Sequence, residues 1–172
     1  MTKIYTKKGD KGKTTVCGME VEKNHPRLVV LGVLDELSSS LGVVLAFSSE
    51  LKILSEIQED LMEIGSEIAL GDRNVGGKLE QRVIILEKEI DQIWEDLPPL
   101  VNFILPQGGK VGSLLHFSRS ICRRAEREAV ILSQKEKIAP EIIIYLNRLS
   151  DFLFALARWV NKNEGFEEKI WP

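Results

Sequence analysis

Cysteine and histidine are almost missing from this 172-residue chain, which has two of each: Cys17, Cys122, His25 and His116. They lie in separate segments, so neither a disulfide framework nor a zinc site with its closely spaced ligands is expected. So few cysteines suit a reducing compartment, and a cytoplasmic location is the expectation. A positive surplus is also lacking, since the net charge is −3. General nucleic-acid binders need a basic surface, so no nucleic-acid partner is expected. No uninterrupted apolar run approaches the roughly 20 residues of a bilayer span, and the first residues have no apolar leader core, so no membrane partner is expected. Nor does any Ser, Cys or His sit in a recognisable nucleophile–base constellation.

What the chain does have is an ordinary globular balance, 44% hydrophobic and 28% charged. Its length suits one core, so residues 1–172 are read as a single domain. The apolar residues recur at helical spacing in five stretches. Val30, Leu34, Leu37, Leu41 and Val44 mark a helix over about Arg27–Ser48. Leu51, Leu54, Ile57, Leu61, Ile64 and Ile68 mark one over Glu50–Leu70. Leu79, Val83, Leu86, Ile90 and Ile93 mark one over Lys78–Asp96, which Pro98-Pro99 stops. Phe117, Ile121, Ala125 and Leu132 mark one over Gly112–Ser133. Ile142, Tyr145, Leu149, Leu153, Leu156 and Val160 mark one over Glu141–Asn163, with Gly165 beyond its end. Gly71–Gly77 reads as a mobile loop.

This pattern predicts an all-α, five-helix up-down bundle over 27–163, with an irregular arm before it (1–26) and a tail after it (164–172). The arm is rich in glycine, threonine and lysine, and a short strand is expected at Lys3–Thr6. Gly9 and Gly12 allow amides to converge on an anion, and Thr14 and Thr15 add hydroxyl donors. It is not a P-loop, because only two residues separate Gly9 from Gly12. A flexible basic tail is the other reading of the same residues.

Three helices carry unusual faces opposite their apolar stripe. On the first, Gly32, Asp35, Ser39, Gly42 and Ala46 line up, a set suited to close approach of another backbone. On the fourth, Arg119, Arg123 and Glu126 share a stripe roughly 60° wide. Arginine's planar fork of donors matches phosphate or carboxylate, although solvated ion pairs such as Arg124 to Glu128 would use the same residues. On the fifth, Asn147, Asp151 and Arg158 align. Three such faces predict an oligomer with polar sites between subunits. Phe103, just before Pro106-Gln107-Gly108-Gly109, is either core or a wall for a large ligand.

Four segments together resemble the PduO-type ATP:cob(I)alamin adenosyltransferase family. They are Ile4-Tyr-Thr-Lys-Lys-Gly-Asp-Lys-Gly-Lys-Thr-Thr15, Gly32-Val-Leu-Asp35-Glu-Leu-Ser38, Phe103-Ile-Leu-Pro-Gln-Gly108 with Ser118-Arg-Ser-Ile-Cys-Arg-Arg-Ala-Glu-Arg127, and Tyr145-Leu-Asn-Arg-Leu-Ser-Asp151-Phe. The resemblance runs from residue 3 to about 160. It implies a homotrimer with ATP bound between subunits, and Mg²⁺ beside the triphosphate. Thr6, Lys7, Lys8, Gly9, Thr14, Thr15, Lys23, Arg123, Arg124, Glu126, Arg127 and Asn147 match its nucleotide-binding positions. Asp35 and Arg119 match an intersubunit salt bridge that shapes the site, and Phe103 matches the aromatic that walls the lower face of the corrin ring. The chain departs from the family pattern at Gln107, where a glycine is usual, and after Thr15. Phe166 and Trp171 are candidates for the C-terminal aromatic that some members of the family place near the corrin.

The implied reaction moves the 5′-deoxyadenosyl group of ATP onto Co(I) of cob(I)alamin and releases triphosphate. Asp35, Arg119 and Arg123 are then the residues expected to matter most for turnover. A cobalamin reductase and an adenosylcobalamin-dependent enzyme are the implied partners. A non-catalytic adenosylcobalamin carrier, a phosphotransferase and a purely structural oligomer are the competing readings. His116 is read as structural.

Overall fold

A computed structural model describes residues 4–5, 7, 9–16, 18–71 and 74–171. Five helices carry the fold: α1 (Pro26–Phe47), α2 (Ile53–Leu70), α3 (Gly76–Asp96), α4 (Lys110–Ser133) and α5 (Pro140–Asn163). Their ends follow from local chemistry. His25 caps α1 by accepting the Arg27 amide on Nδ1, and prolines open α1 and α5, where an amide hydrogen would have no partner. Gly71 closes α2 in the left-handed conformation at φ 69°. Gly76 and Gly77 belong to the first turn of α3 rather than to the loop expected there.

α1 packs on α2 and α4, α4 on α5, and α5 on α3. The apolar stripes read from the sequence lie in this core. Leu37, Leu41, Leu54, Ile57, Leu86, Leu149 and Leu153 are fully buried, each worth about 1.5–3 kcal/mol over an exposed side chain. α1 is long and apolar enough to cross a bilayer, but its stripe is spent on this core. α2 and α3 meet through polar groups instead. Asp60, 2% exposed, accepts Arg82 Nε at 2.6 Å and the Tyr145 hydroxyl at 2.9 Å. Nothing in the helical spacing marks this buried pair.

Two expectations about helix faces need correcting. Phe117 is 58% exposed and not a core residue. The inner face of α4 runs instead through Val111, Leu115, Ser118, Cys122, Ala125, Ala129 and Leu132. Its small members let α1 and α5 approach, and the large ring is displaced to the edge. Arg158 likewise is not on an outer polar stripe; it is buried, at 1% exposure.

The arm is less irregular than its composition suggests. β1 (Lys13–Val16) and β2 (Met19–Glu22) pair antiparallel, with Thr14 opposite Val21 and Thr15 opposite Glu20. The strand expected at Lys3–Thr6 falls on a segment of which only Ile4 and Tyr5 are described, and neither is in a strand.

Candidate functional site

The arginine stripe of α4 is half solvent-facing because it lies beside the small-residue seam and not opposite it. Arg119, the member nearest the core, is half-buried; its guanidinium lies 5.7 Å from the Phe154 ring, and its Nε has no hydrogen-bond partner. Burial, and then the neighbouring Arg123 charge, lower its pKa from the ordinary value. Arg123 and Arg127, one turn apart, are exposed, and neither has a carboxylate partner among the described residues. Arg124 points elsewhere and pairs with Glu36 of α1, not with Glu128. Glu126 accepts from Asn147 Nδ2 at 2.9 Å, which joins the two expected nucleotide-binding residues across α4 and α5.

Asp35 lies on the outer face of α1, exposed, in a groove of about 270 Å³ shared with Ser38, Met62 and Gly65. It has no basic partner among the described residues, so the Asp35–Arg119 pair is not formed within one chain. A carboxylate on α1 and guanidinium groups on α4, unpaired among the described residues, are surfaces of opposite charge on one chain.

In the arm, the Gly12 amide donates to the Gly9 carbonyl at 3.2 Å, and the Lys23 amide to the Gly12 carbonyl at 2.8 Å. This tight turn brings Lys23 against Gly9, where an added Cβ would lie 3.0 Å from the lysine Nζ. Lys7 takes a positive φ of 59°, and Thr15 is exposed. Thr14 is half-buried. The Gly12 and Lys23 amides are spent on carbonyls within this turn, which leaves the Lys23 ammonium beside Gly9. Thr6 and Lys8 lie outside the described residues.

Phe103 is 83% exposed, which removes the reading of it as core. Its loop is held at both ends. On one side, Gly109 donates its amide to Asn161 Oδ1, and Asn161 Nδ2 donates to the Gln107 carbonyl, both at 3.0 Å. The Gln107 departure is harmless to this geometry, since the contact uses its carbonyl while its side chain is exposed. Gly108, at φ 141°, keeps the required turn. On the other side, Leu105 donates to the Lys169 carbonyl at 2.8 Å and Trp171 to the Phe103 carbonyl at 2.7 Å, around an Ile104–Ile170 bridge.

The sequence reading missed Phe154, Asn161 and Glu168. Phe154 contacts Trp94, His116, Arg119 and Arg158. His116 is 3% exposed with neither ring nitrogen hydrogen-bonded, and burial lowers its pKa to about 4. Cys122 is buried and its thiol donates to the Leu146 carbonyl at 3.2 Å, with its pKa raised by burial. Neither group is poised as a nucleophile or base. Asn161 did leave a signal: a polar residue continuing α5's apolar face, opposite glycines at 108, 109 and 112.

A five-helix bundle with guanidinium groups on one helix that are unpaired among the described residues, a glycine–lysine turn and an exposed aromatic loop has the donors to meet a polyanion and an apolar surface for a second ligand. Comparison with known proteins makes this specific. The chain belongs to the cobalamin adenosyltransferase family, whose profile matches residues 4–160. It is 42% identical to the corrinoid adenosyltransferase of Bacillus subtilis (strain 168), over 95% of this chain and 89% of that protein. It is 41% identical to the Homo sapiens corrinoid adenosyltransferase MMAB, over 98% of this chain and 73% of that one. Among solved structures, a variant PduO-type ATP:corrinoid adenosyltransferase from Lactobacillus reuteri, complexed with cobalamin and ATP, superposes with a TM-score of 0.92 at 37% identity, covering 98% of this chain and 99% of that one.

Proposed function

We propose that this protein is a corrinoid adenosyltransferase, transferring the 5′-deoxyadenosyl group of ATP to Co(I) of cob(I)alamin. The observation that carries the reading is that the guanidinium groups of Arg123 and Arg127, on the helix face where the family resemblance puts the nucleotide, have no carboxylate partner among the described residues. In the reaction the Co(I) electron pair forms the Co–C5′ bond, the C5′–O bond breaks, and its electrons leave on triphosphate. Cobalt ends as Co(III). Because the metal of the substrate is itself the nucleophile, the protein's part is positioning and charge stabilisation.

Arg123 and Arg127, with Lys7, Lys8 and Lys23 of the arm, take the triphosphate as it gathers charge. Thr6, Gly9, Thr14 and Thr15 supply hydroxyl and amide donors, and Asn147 holds Glu126 at the nucleotide. Arg124 contributes a further cation from beside Glu36. Among the described residues no cluster of three or more Asp, Glu, His or Cys could hold a metal ion. Mg²⁺ commonly binds through one or two carboxylates plus substrate phosphates, so this donor set fits Mg²⁺ arriving with ATP and Glu126 as its nearby carboxylate. Bound there, it would neutralise phosphate charge.

The protein works as a homotrimer in which Asp35 of one subunit pairs with Arg119 of the next. What supports this is that neither group has an ion-pair partner among the described residues. Phe103 faces the corrin and excludes a lower axial ligand, which eases reduction of Co(II). A cobalamin reductase upstream and an adenosylcobalamin-dependent enzyme downstream complete the sequence.

The test is incubation with MgATP and chemically reduced cobalamin, following loss of the Co(I) absorbance and release of inorganic triphosphate. ADP as product would indicate a phosphotransferase. Tight binding of adenosylcobalamin without turnover would indicate a carrier.

A further inference from the structure

Arg158 is a buried cation with an uncommon set of neighbours. Its Nε and Nη2 meet the two carboxylate oxygens of Glu168 at 2.5 and 3.0 Å, and Nη2 also donates to the Pro98 carbonyl at 3.0 Å. The guanidinium lies over the Trp94 ring at 4.9 Å and 6.0 Å from that of Phe154. A bidentate pair of this kind fixes direction as well as distance, and burial keeps water from competing for it. Glu168 is the only tail residue paired with a charge on the bundle among the described residues.

The residues just after Glu168 are those that pair with the Phe103 loop, through the Leu105 amide, the Ile104–Ile170 bridge and the Trp171 amide. Neither segment is helical, and the backbone groups of residues 103–105 find their partners in residues 169–171. Arg158 anchors the pair to α5. The same guanidinium lies near the Phe154 ring, which Arg119 also faces.

We propose that Arg158 and Glu168 form a positioning clamp. By fixing the tail they fix the Phe103 backbone, and so set where the exposed aromatic stands against the corrin. Arg158 touches no substrate; it acts through Glu168, the tail strand and the loop. The proposal rests on the reading of Phe103 as the corrin wall, and its test separates the two.

Glu168→Ala, Glu168→Gln and Phe103→Ala are compared with the unmodified protein. ATP affinity and the thermal midpoint report whether each variant is folded. Glu168→Gln keeps a neutral acceptor and guards against misfolding caused by an uncompensated buried arginine. Steady-state kinetics should show the KM for cobalamin raised roughly tenfold in Glu168→Ala and less in Glu168→Gln, with the KM for ATP unchanged. The yield of four-coordinate Co(II), read by its absorption and paramagnetic resonance spectra, should fall in the same order. Hydrogen exchange at the Leu105 and Trp171 amides should quicken in both Glu168 variants, with or without corrinoid. Adding Phe103→Ala to Glu168→Ala should worsen corrin handling no further than Phe103→Ala alone.

Unchanged amide exchange in the Glu168 variants overturns the clamp. So does a normal cobalamin KM in Glu168→Ala when Phe103→Ala is impaired. If Phe103→Ala itself handles cobalamin normally while exchange quickens, the corrin-wall reading fails and the clamp is left without its role in the reaction.

Discussion

The side-chain amide of Asn161 fills the space that a Cβ on Gly112 would occupy: such an atom would lie 2.0 Å from Asn161 Oδ1. One asparagine near the end of α5 thereby fixes how closely the start of α4 and its preceding loop can approach. Gly112→Ala should therefore lower stability by about 1–3 kcal/mol, the usual cost of overpacking a tight contact. Asn161→Ala should cost a similar amount by orphaning the Gly109 amide and the Gln107 carbonyl. Urea denaturation midpoints check both, and a Gly112→Ala protein as stable as the parent would remove Asn161 as the spacer.

Arg123→Ala should leave the helical circular dichroism and melting temperature unchanged, because the side chain is exposed and unpaired. Turnover should fall by about 10²–10³-fold, the loss seen when one preorganised donor to a developing charge is removed. Near-normal turnover would take Arg123 out of the site.

Asp35→Asn and Arg119→Ala should each weaken activity and subunit association. If they pair across the interface, the double variant should be no worse than the worse single variant. Analytical ultracentrifugation and initial rates on all four proteins complete the cycle. Fully additive losses, or a parent protein that sediments as a monomer, would separate the two residues.

His116 should make stability depend on pH. Burial first, and then the Arg119 charge, depress its pKa from 6.5 to about 4, against a smaller opposing effect of Glu168. The unfolded chain therefore takes up the proton at a higher pH than the folded one. Stability is full above about pH 6.5 and falls progressively toward pH 4, by up to about 3 kcal/mol from this residue. His116→Gln should flatten that part of the profile, measured as urea midpoints at pH 7.5 and 4.5; an unchanged slope would show that other groups set it.

The five helices, their boundaries and most of their buried residues were legible in the sequence, because burial against one core imposes a 3.6-residue period on the chain. The cationic stripe of α4 was legible too, since a short helix segment determines its own facing residues. The 13–22 hairpin was not, for its strands are short and mostly exposed and carry no apolar alternation to announce them. Phe117 and Arg158 were misplaced because period alone finds a face only approximately. Which neighbour covers its edge is settled by packing.

From the sequence alone came the apolar periods, the stops at Pro98-Pro99 and Gly165, and the types of residue gathered on each helix, all of them consequences of local chain geometry. Only the tertiary structure decided which charges are left without partners, that Phe103 stands in solvent, and that the tail returns to hold its loop. Those depend on contacts between residues 50 or more positions apart, such as Asn161 with Gly109 and Trp171 with Phe103. No local pattern encodes such distances, because they exist only once the helices have packed.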